Sequence, residues 1–252
     1  MSRLVVLWDS HALALAEGFA QLKARGEEAF PGEVRFLPIF DGPDNLAPFF
    51  RRDGDGIAFL GDRPAQGIIE ALGAAMLSPE DRDTIYAFSM GLMITLLLRQ
   101  GDWKRSTPSS LAPATHGKRH RNLVSELLVE AMALENQKHV IDFARAVRQV
   151  GLRAFIIAAP PMREDDRAIE RGRPAAVLLE VNRICRRALV RSYSEAGLRV
   201  LEPPPETYQD GDVLGFMRSD LRRLVGRDSH HGNAAYGEIM MRHVLALASS
   251  MS

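Results

Sequence analysis

The sequence LVVLWDSH at positions 4–11 joins a short apolar strand to a polar turn. Between Ala12 and Arg25 apolar residues recur at helical spacing, and Gly26 ends the pattern. This succession predicts a strand, a turn and a helix. Ser10 is therefore expected on the turn, at the carboxyl edge of a sheet. The free N–H groups and the positive end of the following helix would face any negative charge that develops beside its hydroxyl.

The sequence DSHHGN at positions 228–233 precedes a second periodic apolar segment, 234–248, which predicts the last helix. Asp228 and His231 are three residues apart, so one loop can hold a carboxylate beside an imidazole. A serine hydroxyl is a poor nucleophile until an imidazole takes its proton, and a carboxylate fixes the tautomer of that imidazole. Ser10, His231 and Asp228 are therefore the candidate nucleophile, base and orienting group. Their chain order is one of several that build this arrangement.

Both motifs also have a structural interpretation, since Ser10 and Asp228 each precede a helix and are typical N-cap residues. The segments between the motifs favour the catalytic interpretation. Strands are predicted at 34–38, 57–60, 84–89, 153–158 and 198–201, and helical segments separate most of them. The segment 123–150 is expected to form one long helix, or two that join near Glu135-Asn136. This alternation favours a parallel sheet covered by helices on both faces.

With 252 residues, the chain is expected to form a single α/β domain over 1–252, with additions near 41–56 and 101–121. The second addition is basic and contains Trp103. It is interpreted as a solvated loop, with the binding of an anionic substrate as the alternative. Lys plus Arg equals Asp plus Glu at 32 each, so no overall charge favours nucleic acid or an anionic membrane as a partner.

Cys185 is the only cysteine, which excludes an internal disulfide and a cysteine-rich metal site. It is expected to lie in the core. Neither a signal peptide nor a membrane-spanning run is predicted, so the cytoplasm is the expected location. No glycine-rich phosphate motif follows a strand, and no cofactor is expected. No metal is expected either, because His230 and His231 are adjacent and should point in different directions.

Three motifs together resemble the SGNH family, also called GDSL-type lipases and esterases. They are Asp9-Ser10 after the first strand, Ala158-Ala159-Pro160-Pro161 after a later strand, and Asp228-x-x-His231-x-Asn233-x-x-Tyr236-Gly237 near the end. The resemblance implies a three-layer α/β/α sandwich around a mainly parallel sheet of flavodoxin type. It also implies that Ser10 is the nucleophile, His231 the base and Asp228 its partner, without a metal. The reaction it implies is hydrolysis or transfer of an acyl group.

The chain departs from the family pattern at several positions. Trp8 replaces the usual glycine and His11 an often-found leucine. The family takes oxyanion donors from a glycine after an early strand and from the asparagine of a Gly-x-Asn motif after a middle strand. Gly61 matches the first, and Gly91 begins the second, but Met93 stands where the asparagine is expected. Loss of one oxyanion donor typically costs about a hundredfold to a thousandfold in rate.

Two classes of function follow. The first is a serine acyl-ester hydrolase acting on a small-molecule or carbohydrate ester, or an acyltransferase of the same fold. The second is a catalytically weakened domain that binds a glycan, an acyl compound or a protein, which Met93 favours. His11, Met93 and His230 are candidate substrate contacts, although a surface or half-buried position is the expected description of both histidines. The oligomeric state is not predicted.

Overall fold

In a computed structural model the chain forms an α/β architecture. The structure describes residues 2–8, 10–38, 45–100, 102–111, 122–213, 215–226 and 228–251. Asp9 lies outside the described residues, as do parts of the two predicted additions, 41–44, 101 and 112–121.

The strands, in chain order, are β1 (Arg3–Trp8), β2 (Glu33–Pro38), β3 (Phe50–Asp53), β4 (Gly56–Phe59), β5 (Thr84–Gly91), β6 (Ser106–Pro108), β7 (Asn122–Val124), β8 (Ala154–Ala158) and β9 (Arg199–Leu201). The α-helices are α1 (Ala12–Ala24), α2 (Asp62–Leu72), α3 (Thr95–Gln100), α4 (Glu126–Asn136), α5 (Lys138–Gln149), α6 (Arg167–Glu170), α7 (Ala175–Glu195) and α8 (Ala234–Met251).

Five strands form a central parallel sheet in the spatial order β2-β1-β5-β8-β9. Numbered within the sheet this is 2-1-3-4-5, the flavodoxin-like order, in which a crevice opens where the strand order reverses. That reversal lies between β1 and β5. Ser10 follows β1 and Leu92 follows β5, so both residues lie at the carboxyl edge beside this crevice.

Helices cover both faces of the sheet, and β1 shows why its sequence is apolar throughout. Leu4 and Val6 pack into the core that contains α1 and α8, whereas Val5 and Leu7 pack into the core that contains α2, α4, α5 and α7. All four side chains are fully buried. A parallel strand covered on both sides has no solvent face, so it needs apolar residues at every position. The predicted three-layer α/β/α fold with a parallel sheet is confirmed.

Two glycines bring α1 and α8 into close contact. A Cβ atom at Gly237 would lie 1.7 Å from the carbonyl oxygen of Ala14, and one at Gly18 would lie 2.2 Å from the backbone nitrogen of Glu238. The two helix backbones therefore touch close to the N-terminal end of each helix. The loops that precede these helices carry Ser10 and His231, so this contact brings the two ends of the chain together.

We expect Gly237→Ala to destabilise the fold by about 2 kcal/mol, because the added methyl group overlaps backbone that cannot rotate away. Helix propensity alone predicts the opposite sign, a gain of about 1 kcal/mol. Urea denaturation followed by circular dichroism measures the difference. An increase in the free energy of unfolding would show that the two helices separate without cost.

The structure corrects one of the predicted strands. Residues 57–60 were expected to alternate with helices in the parallel sheet, but Gly56–Phe59 pairs antiparallel with Phe50–Asp53 in a separate two-stranded sheet. Part of the predicted addition near 41–56 is thus a strand. Asp53, Gly54, Asp55 and Gly56 make its tight turn, where Gly54 has a positive φ of 58°. A hairpin of this length is favoured by local turn chemistry that the apolar pattern does not reveal.

Other differences are local. The segment 123–150 forms two helices that meet at Gln137, one of the two predicted alternatives, but residues 122–124 form a short strand ahead of them. The segment ahead of the 228–233 motif contains a single 3₁₀ turn at Ser219–Leu221. Cys185 is buried as expected, and burial raises the pKa of its thiol to about 12. Within the described residues, every helix is too short or too polar to cross a lipid bilayer.

Candidate active site

Ser10, His231 and Asp228 form a continuous hydrogen-bonded series. The Oγ atom of Ser10 lies 3.0 Å from Nε2 of His231, and Nδ1 of His231 lies 2.8 Å from Oδ2 of Asp228. A carboxylate accepts but does not donate, so Nδ1 carries the hydrogen and Nε2 is left to accept from the serine hydroxyl. Ser10 is exposed, whereas the other two side chains are mostly buried. The arrangement has the distances that proton transfer from a serine requires.

Helix capping does not account for these residues. The residue that precedes α1 is His11, and its side chain makes no capping bond. Asn233 caps α8, where its Oδ1 accepts from the backbone N–H of Tyr236 at 3.1 Å. Ser10 and Asp228 therefore form their side-chain bonds within the site.

Two backbone bonds hold the Asp228 carboxylate. Its Oδ1 accepts from the N–H groups of His230 and His231, each at 3.1 Å. Partial burial disfavours the charged form, but these N–H groups together with the His231 imidazole outweigh it and lower the pKa of Asp228. The carboxylate is therefore ionised at neutral pH. The same two bonds bend the chain into a turn that leaves Oδ2 for the imidazole of His231.

A buried arginine supports this turn from below. Arg163 is 1 % exposed, and its Nη1 donates to the carbonyl oxygens of Arg223 at 2.9 Å and His231 at 3.1 Å. Its Nε and Nη2 donate to the two oxygens of Asp165 at 2.9 and 2.7 Å. Nη1 also lies 3.7 Å from Oδ1 of Asp228. One guanidinium thus joins the segment after β8 to the loop that carries the candidate base.

His11 and His230 pack against His231. The centroid of the His231 ring lies 4.7 Å from that of His11 and 3.9 Å from that of His230. His11 is 6 % exposed, which corrects the expectation of a surface or half-buried side chain. Burial, together with the nearby His231, lowers the pKa of His11 well below its usual range, and burial lowers that of His230 to about 4. Both imidazoles are therefore neutral at pH 7.

The candidate oxyanion residues Gly61 and Gly91 are not hydrogen-bonded to Ser10. Gly61 directly precedes α2 and has φ 91° and ψ 147°, a conformation open almost only to glycine. Gly91 ends β5, and a Cβ there would lie 2.2 Å from Cγ2 of Ile156, so close packing is sufficient to require glycine. The structure gives no hydrogen bond between either glycine and Ser10. Their roles as oxyanion donors stay predictions.

The loop after β5 has an unusual backbone. Leu92 has φ 62°, one of two non-glycine residues with positive φ in the described chain. The carbonyl oxygen of Met93 accepts from Nε2 of Gln137 at 3.1 Å, and the hydroxyl of Tyr193 donates to Oε1 of Gln137 at 3.4 Å. Gln137 and Tyr193 are fully buried. A strained backbone of this kind persists only where the surrounding structure holds it, and here the buried Gln137 holds the loop in which an oxyanion donor is expected.

Sequence reasoning missed two supports of the site, Arg163 and Gln137. The Pro160-Pro161 pair that precedes Arg163 indicated a strand end, but nothing in the local pattern distinguishes a buried arginine from a solvated one. Gln137 lies at the junction of two helices. A polar residue at such a position gives no sign in the sequence that it is buried. Both act on segments more than forty residues away, so their partners become visible only in three dimensions.

Comparison with known proteins supports the fold. No family model and no curated protein matches the sequence. Among solved structures, the chain is similar to a GDSL-like lipase from Bacteroides thetaiotaomicron, at 8% identity and a TM-score of 0.52, over 100% of this chain and 89% of that one. It is also similar to a provisionally named acylhydrolase from Bacteroides fragilis, at 5% identity and a TM-score of 0.50, over 100% and 88%. The chain therefore has the fold of the SGNH hydrolases, as its motifs predicted.

Proposed function

We propose that this chain is a serine acyl-ester hydrolase in which Ser10 is the nucleophile, His231 the general base and Asp228 its orienting carboxylate. The observation that carries the proposal is the pair of contacts on one imidazole, 3.0 Å to Ser10 Oγ and 2.8 Å to Asp228 Oδ2. These contacts join residues from the two ends of the chain at the crevice where this fold binds ligands.

In the proposed reaction, Ser10 Oγ attacks the acyl carbon while Nε2 of His231 takes the hydroxyl proton. The tetrahedral intermediate then expels the alcohol, which leaves with the proton from His231. An acyl group remains on Ser10. Water attacks this acyl-enzyme, His231 takes a proton from the water, and collapse releases the carboxylic acid as the proton returns to Ser10. The ionised Asp228 stabilises the imidazolium in both halves of the reaction.

The negative oxygen of each tetrahedral intermediate needs donors. We assign this role to the backbone N–H of Ser10 with those of Gly61 or Gly91. Ser10 lies beside the N-terminal end of α1, whose dipole favours negative charge at that point. The Met93 side chain cannot donate, so we expect slow turnover of simple activated esters.

We propose a small-molecule or carbohydrate ester as the substrate. The exposed Ser10 hydroxyl is open to an ester carried on a bulky alcohol, and the site needs no cofactor for the chemistry. If an alcohol replaces water in the second half of the reaction, the same residues catalyse acyl transfer. Product analysis with and without an added sugar acceptor separates the two.

A fluorophosphonate probe tests the proposal, because it modifies serine hydroxyls that a neighbouring base activates. We expect labelling of the wild-type protein at Ser10 and none of Ser10→Ala or His231→Ala. Ser194→Ala is the matched control, since Ser194 is an exposed serine on α7. Equal labelling of wild type and Ser10→Ala would remove Ser10 from the role of nucleophile.

The second candidate function is binding without efficient catalysis, and Met93 is the observation that favours it. We expect Met93→Asn to raise kcat at least tenfold if a missing donor limits the rate, because one oxyanion donor is worth about a hundredfold or more. The bond from Gln137 to the Met93 carbonyl holds the backbone in both variants. Met93→Leu keeps an apolar side chain and serves as the control.

Steady-state kinetics on an activated ester such as a nitrophenyl acetate measures both variants. If Met93→Asn is no faster than Met93→Leu, the limitation lies elsewhere, either in another donor already in place or in misplacement of the new amide.

A further inference from the structure

We propose that His11, His230 and His231 form a binding site for a divalent transition-metal ion such as Zn²⁺, and that an ion bound there inhibits the enzyme. Metal binding stands on the arrangement of the three imidazoles alone. The inhibition rests on the proposed function, because it requires His231 to be the base.

The three imidazoles are close enough to share one ion. One ring nitrogen from each can be chosen so that all three lie within 4.8 Å of one another. Zinc–nitrogen bonds of about 2.0–2.1 Å place the nitrogens of a tetrahedral site about 3.3 Å apart. Side-chain rotations that bring the nitrogens closer by about 1.5 Å or less therefore complete three ligands. Three histidines with an open fourth position suit zinc, and imidazole also suits copper and nickel.

The sequence argued against this site because adjacent histidines should diverge. The structure shows the opposite, since the His230 and His231 rings lie with centroids 3.9 Å apart at an interplanar angle of 39°. The turn around the Asp228 carboxylate explains the difference. That turn breaks the extended conformation in which neighbouring side chains point to opposite sides.

Two further features suit a metal. The buried Nδ1 of His230 has no hydrogen-bond partner among the described residues, and it lies 3.9 Å from Oδ1 of Asp228. A cavity of about 30 Å³ borders His11 and His230, though not His231, and has space for a water molecule beside an ion that these imidazoles hold.

The arginines near the site are paired with carboxylates, and Arg186, which lines the same cavity, lies 3.5 Å from Glu202. Arg99 and Arg163 disfavour a cation, but Arg99 pairs with Asp166 at 3.3 Å and Arg163 pairs with Asp165 at 2.7 Å. Asp228 then supplies a negative charge directly behind His231. A carboxylate that accepts from the other nitrogen of a ligating histidine is the usual support for a zinc ligand, because it orients the ring and raises its basicity.

The consequence for catalysis depends on the lone pair at Nε2 of His231. Nδ1 of His231 is bonded to Asp228, so Nε2 is the nitrogen left for a metal, and Nε2 is also the atom that faces Ser10. A lone pair bound to the ion cannot take the proton of the serine hydroxyl. Metal binding and general-base catalysis therefore exclude each other at this imidazole.

The test uses the metal-free protein, residues 1–252, titrated with Co²⁺, whose visible absorption reports tetrahedral ligation, and with Zn²⁺ by calorimetry. We expect one ion per chain in the wild type and in Ser10→Ala, which keeps all three imidazoles. We expect at least tenfold weaker binding in His230→Ala and in His231→Ala. His243→Ala is the control, because His243 is an exposed histidine on α8 that contacts Glu206. Circular dichroism checks that each variant is folded.

Ester hydrolysis is then followed as Zn²⁺ is added and removed with a chelator. We expect reversible inhibition of the wild type and at least tenfold less sensitive inhibition of His230→Ala, each compared with its own metal-free rate. Binding that is absent in the wild type, or unchanged in His230→Ala, overturns the site. A metal ion that binds and raises the rate overturns the inhibition. If no ester is hydrolysed by any form, the spectroscopic titration still decides the site, and the proposed function fails separately.

Discussion

We expect Ser10→Ala and His231→Ala each to lower kcat for ester hydrolysis by about 10⁴-fold or more, down to the background rate of the assay. A nucleophile and its base act as a unit, so the double variant is expected to be little slower than either single one. The 3.0 Å contact between Ser10 Oγ and His231 Nε2 is the physical reason, because neither group can form the acyl-enzyme without the other. Single-turnover kinetics on an activated ester measures all three.

The fold should survive these changes. Ser10 is exposed and does not cap α1, so its truncation should alter the free energy of unfolding by less than about 1 kcal/mol. Asp228→Asn should reduce kcat less than either variant, since it affects the tautomer and orientation of His231 rather than the reacting atoms. Additive losses in the double variant would mean that Ser10 and His231 act independently, and the catalytic pair would have to be abandoned.

The first and last elements of the chain were accessible to sequence reasoning because their signals are local. The apolar run of β1 followed at once by helical periodicity places Ser10 at a sheet edge, and the short Asp228-x-x-His231 spacing places carboxylate and imidazole in one loop. The contact between these two loops is a tertiary contact. It depends on the close contact of α1 and α8 at Gly18 and Gly237, which the sequence shows only as two glycines within helical segments.

Strand β4 and the adjacent histidines differ from the expectation for the same reason, which is that their partners are set by tertiary structure. Strand β4 has the apolar composition of a buried parallel strand, but a tight turn at Gly54 pairs it with β3 instead. Composition reports burial and not the identity of the pairing strand. Likewise, the divergence expected for His230 and His231 assumed a regular backbone. The hydrogen bonds to Asp228 remove that assumption, and with it the reason to exclude a shared ligand.

Arg163 is the case in which local reasoning had no signal and the structure indicates a large effect. Its guanidinium donates four hydrogen bonds, two to backbone carbonyls and two to Asp165. The carbonyls belong to Arg223 and His231, so the position of the candidate base depends on a side chain that does not touch the reacting atoms. We regard Arg163 as a positioning residue.

We expect Arg163→Lys to destabilise the protein by about 3 kcal/mol and to lower kcat about tenfold to a hundredfold, with little change in KM. An ammonium group keeps the charge but cannot reach both carbonyls and both oxygens of Asp165, so buried acceptors lose their donors. A displacement of His231 by about 1 Å is enough for such a loss in kcat. Urea denaturation and steady-state kinetics, measured well below the melting temperature of the variant, separate the effect on folding from the effect on rate.

Arg218→Lys is the matched control, because Arg218 makes the same two-bond contact with the aspartate two positions ahead, Asp220, but does so at an exposed surface. An exposed pair of this kind contributes little to stability, and Arg218 makes no bond to the 228–231 turn, so we expect the control to change kcat by less than twofold. Equal losses in the two variants would refute the positioning role of Arg163. If Arg163→Lys loses stability without a fall in kcat, Arg163 contributes to folding alone. The reason is that a displaced imidazole slows proton transfer from Ser10 while it leaves substrate binding intact.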